Sequence, residues 1–161
     1  MAVDMFLKFT PDVKGEAQDD KEKDTIDVLA WHWGVANSGT THMGSGSGAG
    51  RANFNDIGVT KFIDKASPLL MQACSLGKHF SEARLLCRRA GGAQNEYVEI
   101  KMTDVIITSY STGGSGGEDR LTENVSLNFG AFEYIYTPQK PDGEKDAAIE
   151  FKYDIAAQKE Q

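Results

Sequence analysis

The 161-residue sequence lacks an excess of basic charge: 17 Lys and Arg stand against 24 Asp and Glu, for a net charge of −7 with both signs scattered along the chain. Nucleic acid and anionic membranes are recognised through concentrated positive charge, so neither is expected as a partner. No apolar run approaches the ~20 residues of a spanning helix, so membrane insertion is not expected either. The opening residues Met1-Ala2-Val3-Asp4-Met5-Phe6 show no basic n-region, no sustained apolar h-region and no small-residue cleavage site, and the expectation is folding in the cytoplasm outside the general secretory route. Two cysteines, Cys74 and Cys87, are too few for a disulfide framework and too far apart for a CxxC motif; they read as buried thiols. Three histidines, His32, His42 and His79, are not spaced i, i+4 beside a carboxylate, so nothing implies zinc, and no cofactor is expected.

What the sequence has is period-2 alternation, the mark of strands with one face buried. Val3, Met5, Leu7 and Phe9 share one face of a first strand, and the charge-dense stretch from Pro11 to Asp24 reads as a solvated loop. From Thr25 to Trp33 a strand is expected with Leu29, Trp31 and Trp33 on one side and Val28, Ala30 and His32 on the other. Asn37 to Gly50, rich in Gly, Ser and Thr, reads as a protruding loop, followed by a strand-like run from Arg51 to Asp64. Ser67-Pro68 supplies an N-cap and a first-turn proline, Leu69, Leu70, Ala73 and Cys74 a helical stripe, and Gly77 a stop, which predicts one helix.

Strands are expected over Phe80 to Arg89, Glu96 to Tyr110 and Asn124 to Tyr136, and a clean alternation follows at Ile149, Phe151, Tyr153 and Ile155. Both long strands slip phase, between Met102 and Val105 and around Gly130, as bulged or bent strands do at the corners of curled sheets. The expected fold is mainly β: one domain over residues 1–161, a small closed or nearly closed antiparallel β-barrel of two curled sheets with one α-helix packed on its side.

Chemistry-bearing motifs fail on context. Gly44-Ser45-Gly46-Ser47-Gly48-Ala49 matches a loose dinucleotide pattern but leads into a strand, not a helix. Gly113-Gly114-Ser115-Gly116-Gly117 matches the G-x-S-x-G elbow of α/β-hydrolases, yet no histidine follows His79 to serve as base. Two long glycine-rich loops on an acidic β scaffold suit binding or self-assembly. A small β-fold hydrolase using Ser115 and a generic protein-binding module stay open as alternatives.

Certain segments are more specific: Met1 to Lys8, Asp27-Val28-Leu29-Ala30-Trp31-His32-Trp33-Gly34, His42-Met43-Gly44, Ser75-Leu76-Gly77-Lys78-His79 and the long run Ser111 to Val125. Together they resemble the Hcp (haemolysin-coregulated protein) family, which forms the inner tube of the bacterial type VI secretion system. The resemblance runs from Met1 to beyond Tyr136. It implies a structural protein without an active site that assembles into homohexameric rings stacked into a hollow tube. The tube is built in the cytoplasm inside a contractile sheath, capped by a spike protein and expelled without a signal peptide to the extracellular space or a target cell. It also implies small effector proteins held in the lumen. Some members carry C-terminal toxin extensions; with the sequence ending at Gln161, none is expected.

Self-assembly is expected to use the loop residues His42, Met43, Gly44, Ser45, Gly46, Ser47 and Gly48, together with Gly113, Gly114, Ser115, Gly116 and Gly117. His32 points away from the face that Trp31 and Trp33 share, because successive side chains on a strand alternate. The family's sheet-lined lumen makes it the expected cargo-facing residue.

Overall fold

The computed structural model describes residues 2–39, 42, 48–90 and 94–161. Within them the alternating segments form β1 (Val3–Thr10), β2 (Ile26–Asp27), β3 (Ala30–His32), β4 (Val35–Gly39), β5 (Ala49–Phe54), β6 (Ile57–Phe62), β7 (His79–Arg89), β8 (Glu96–Thr112), β9 (Thr122–Tyr136), β10 (Ile149–Asp154) and β11 (Lys159–Glu160), with the helix α1 (Ser67–Leu76) before β7. β1, β7, β8, β9 and β10 are successive antiparallel neighbours, so residues opposite one another line up in rows across the sheet. Leu7, Leu85, Ile100, Tyr134 and Phe151 form one inward row, and its first three members are fully buried. β6 pairs with the first half of β9 and carries β3 on its other edge.

The sheet is curled but is not closed by one continuous strand. β2 pairs with β1, and the Val28 amide still donates to the Met5 carbonyl at 2.9 Å, whereas the Leu29 amide donates to the Thr60 carbonyl of β6 at 2.8 Å. The chain therefore changes partner between Val28 and Leu29 and draws the two ends of the sheet together. This splits the expected Thr25–Trp33 strand in two and shifts its parity. Ile26 and Val28 are buried, Trp31 and Trp33 pack against the core, and Leu29, expected beside the indoles, is left 42% exposed.

The helix lies where the sequence places it, with Pro68 in its first turn and Gly77 closing it in the left-handed region at φ 63°. Its start differs. Asp64 Oδ1 accepts from the Ala66 amide at 2.9 Å, while the Ser67 hydroxyl turns into the core instead of capping. Leu70 and Ala73 are buried and Cys74 packs against the core, but Leu69 faces out.

The phase slips in β8 and β9 are real and face each other. Asp104, at φ 55°, stands between the pairs Thr103↔Ala131 and Val105↔Phe129, and the register is the same on both sides of it. Both strands reverse parity together at Asp104 and Gly130, with no residue inserted. The bulge that does shift register comes later, between Ile107 and Ser109.

Two loop expectations change. Pro11 to Asp24 is tied down: Val13 and Ala17 are buried, and the Gly15 and Ala17 amides donate to the Asp24 and Thr25 carbonyls. A methyl on Gly15 would stand 2.4 Å from the Thr25 carbonyl oxygen, so this close approach requires glycine. The Asn37–Gly50 segment is partly strand, since β4 and β5 pair from Val35↔Phe54 to Gly39↔Ala49.

Candidate assembly surfaces

Of the expected assembly residues, His42 and Gly48 are exposed, while Met43, Gly44, Ser45, Gly46 and Ser47 lie outside the described residues. Gly113, Gly114, Ser115, Gly116 and Gly117 are all exposed, in the connection between β8 and β9. These two strands are antiparallel partners, so Ser115 sits in a hairpin loop and not in the strand-turn-helix that a nucleophile elbow needs. The Ser115 carbonyl accepts from the Glu118 amide at 3.2 Å, which makes the loop a turn.

His32 is exposed, and Trp31 and Trp33 turn inward, as alternation requires. Trp33 meets Phe129 and Phe132 edge-on and stacks near Phe54, and its indole N–H donates to the Asn55 carbonyl at 2.9 Å. The His32 imidazole lies across the strand pair on Gly58, its register partner: a methyl built on Gly58 would come within 2.1 Å of His32 Cε1. Glycine there makes the seat for the ring.

The outer surface of the sheet divides into two kinds of wall. Across β3, β6 and the first half of β9, the outward positions are Ala30, His32, Gly58, Thr60, Asn124, Ser126 and Asn128, in register with one another. Thr60 donates to Asn124 at 2.7 Å. The carboxylate at the rim of this wall, Asp56, accepts from Thr108 at 2.6 Å and from Asn128 at 2.8 Å. The outer face of β1, β7, β8, β9 and β10 is charged instead. Lys8, Arg84, Lys101, Glu133 and Lys152 form one row, flanked by Glu82 and Asp154 on one side and Glu99 and Glu150 on the other. Arg84 pairs with Glu99, Lys101 with Glu82 at 3.8 Å, and Lys152 with Glu150 at 3.7 Å.

Two buried polar networks fix these walls in place, and sequence reasoning missed both. Lys61 and Glu123, each 0% exposed, are directly opposite in β6 and β9 and form an ion pair. Lys61 Nζ also donates to the Phe62 carbonyl at 2.8 Å and to Asp64 Oδ1 at 2.9 Å. Glu123 accepts from the Ser67 hydroxyl at 2.6 Å and from the Tyr110 hydroxyl. Burial, reinforced by that carboxylate, pushes the Tyr110 phenol up to about 12. Ser67 and Lys61 stand side by side at 3.3 Å but are sealed from solvent, and the cluster binds the helix start to β6, β8 and β9. The available signal was parity: Lys61 follows Ile57 and Val59 on the inward face of β6.

The second network is Arg88, 2% exposed, which pairs with Asp19, contacts Asp4 at 3.4 Å and covers the Phe6 ring at 5.1 Å. Hydrogen bonding from Arg88 holds the Asp19 carboxyl down to about 2. The loop from Pro11 to Asp24 is thereby pinned on β1 and β7, over Phe6 and Leu86, which are both buried.

Comparison with known proteins agrees with this architecture. The family model described as "Type VI secretion system effector, Hcp" matches residues 6–136. The protein hcp1 of Pseudomonas aeruginosa is 57% identical over 147 residues, covering 91% of this chain and 90% of that one. A solved type six secretion system protein superposes with a TM-score of 0.93 at 31% identity, covering 99% of this chain and 100% of the other. Hcp1 from Salmonella typhimurium gives 0.82 at 36% identity, with both chains fully covered. No helix among the described residues is long and apolar enough to cross a membrane. With its exposed hairpin serine, two-walled curled sheet and side helix, the chain belongs to the Hcp family and is a structural subunit of the type VI secretion tube, a secreted protein and not an enzyme.

Proposed function

We propose that the subunit closes into six-membered rings whose lumen is lined by the β3–β6–β9 wall, and that the rings stack into a tube carrying small effector proteins past His32. The observation that carries this reading is the seat of His32. Its imidazole projects from a wall of hydroxyl, amide and glycine positions, over Gly58 and away from the two indoles. A wall with few fixed charges offers hydrogen bonds to many cargo surfaces without strong attraction to any, which suits transient holding. On this reading assembly takes place in the cytoplasm inside a contractile sheath, with a spike protein at the tip, and expulsion needs no signal peptide. The loops around His42 to Gly48 and Gly113 to Gly117 reach an adjacent subunit or ring.

Light scattering and electron micrographs of the purified protein test the ring: six-membered particles are expected, and a monomer at micromolar concentration refutes it. His32→Glu tests the lumen. It keeps the ring and changes which effectors co-purify, whereas an unchanged set of effectors counts against the assignment. Deleting Gly44 to Gly48 leaves the barrel folded and weakens ring closure or stacking; unchanged tubes count against the loop's role.

A further inference from the structure

The wall around His32 carries one fixed charge at its rim, and the fold holds that charge in place. Asp56 stands just before β6, half-buried, beside the outward Asn128. The bulge between Ile107 and Ser109 leaves Thr108 without a partner on β9. Its hydroxyl donates to Asp56 Oδ2 at 2.6 Å, and the Asn128 side-chain amide donates to Oδ1 at 2.8 Å. Two neutral side chains from two strands thus orient one carboxylate, and a bulge, which re-aims a side chain, supplies one of them. A carboxylate accepts about four hydrogen bonds in all, so roughly half of its capacity stays free.

No cation neutralises it. Among the described residues Asp56 has no ion-pair partner, and the row across the sheet runs Asp56, Asn128, Ile106, His79. His79 is therefore three strand spacings away, roughly 14 Å, beyond the ~8 Å Debye length of physiological salt. It is also engaged by Asp104 at 3.3 Å. Thr60, Asn124 and Ser126, the other polar positions of the wall, are neutral. His32 lies opposite Gly58, two residues along β6 from Asp56, which places the two side chains roughly 8 Å apart.

We propose that Asp56 is the cargo-selecting group of this wall and that it receives a lysine or arginine side chain of the protein held there. No three metal-ligating side chains gather among the described residues, so a lone carboxylate suits one organic cation better than a metal ion, which needs several ligands. The inference rests on the lumen reading above and adds the kind of cargo that the lumen takes. One exposed ion pair changes affinity only about two- to fivefold. A closed ring repeats the carboxylate in every subunit, so a cargo with a basic face meets several at once, whereas an acidic face is repelled.

Fluorescence anisotropy with two labelled, end-blocked peptides tests it, one of repeated Gly-Ser-Lys and one of repeated Gly-Ser-Glu. The wild-type protein is expected to bind the lysine peptide, to release it at about 0.5 M salt and to leave the glutamate peptide free. Asp56→Asn weakens lysine-peptide binding roughly tenfold. Glu150→Gln, which removes an exposed carboxylate from the charged wall, leaves it unchanged. Should Asp56→Asn lose its native circular dichroism spectrum, His32→Lys, which sets a cation beside an intact Asp56, carries the same expectation. An equal loss in Glu150→Gln, no loss in the wall variant, or no preference for the lysine peptide overturns the assignment. Sedimentation velocity on the same samples reads the ring separately: a monomeric wild type overturns the ring reading, and a ring that binds neither peptide overturns only the role of Asp56.

Discussion

Lys61→Met is the sharpest perturbation of the scaffold. The ammonium of Lys61 sits at 0% exposure among the Phe62 carbonyl, Asp64, Ser67 and Glu123. Methionine fits the same volume but removes the charge, leaving the fully buried Glu123 carboxylate with only the Ser67 and Tyr110 hydroxyls. Breaking a buried pair from one side costs about 3–5 kcal/mol, because the remaining charge is desolvated without compensation. Glu123→Gln costs less, about 1–3 kcal/mol, since Lys61 keeps Asp64 at 2.9 Å. Lys61→Met combined with Glu123→Leu recovers much of the loss, because a matched apolar pair needs no solvation. Denaturant unfolding of the wild type, Lys61→Met, Glu123→Leu and their double variant at one fixed concentration measures the cycle, and the fixed concentration keeps any assembly contribution equal. A loss below about 1 kcal/mol in Lys61→Met, or a double variant as poor as the sum of the singles, refutes the claim that the pair is dry and mutually dependent.

The remaining predictions concern the pinned loop and the phenol. Asp19 is depressed in the folded protein, so its contribution to stability is present above its unfolded value of 3.8 and is lost as pH falls through about 2; Arg88→Met removes that acid limb from the stability profile and raises proteolytic cleavage between Pro11 and Asp24. Gly15→Ala costs about 1–3 kcal/mol, since the methyl meets backbone at 2.4 Å; faster amide exchange at Gly15 and Ala17 is the local readout. Tyr110 stays protonated at a pH where ordinary tyrosines have ionised, so Tyr110→Phe leaves the tyrosinate absorbance of the folded protein at pH 11 unchanged.

How legible the molecule is from its sequence depends on which interactions are local. Strand periodicity is local, and β1, β7, β8, β9 and β10 fall within a few residues of where alternation places them. The parity of His32 against the two indoles is local too. The change of partner between Val28 and Leu29 is not. It depends on β1 and β6 arriving on either side of one segment, and so alternation alone predicts a single strand with Leu29 beside the indoles. The Pro11–Asp24 loop reads as solvated because its charges are counted without knowing that Arg88, 69 residues away, meets Asp19. Lys61 and Glu123 escape a reading of the sequence for the same reason: the pair forms only once β6 and β9 are in register.

The phase slip in β8 and β9 links the local pattern to the two walls. Before Asp104 and Gly130 the outward positions are Glu99, Lys101, Glu133 and Ile135; past them they are Ile106, Ser126 and Asn124. Without the reversal, the parity that carries Lys101 and Glu133 would continue outward through Val105 and Phe129, both now buried, and the β3–β6 side would have no apolar face to pack on. Two residues thus let one strand pair keep an apolar face on the same core on both sides of the reversal. The first half faces outward with paired charges, and the second with hydroxyls and amides beside His32. A regular strand cannot change parity by itself. Asp104 does so in the left-handed region, a conformation that aspartate tolerates better than β-branched residues do, and Gly130 faces it across the pair, where even a methyl would stand at an ordinary 3.7 Å from the Asp104 side chain. The division of the surface into a charged wall and a nearly neutral one is therefore written in the sequence as a break in alternation, and the register of the folded sheet gives that break its meaning.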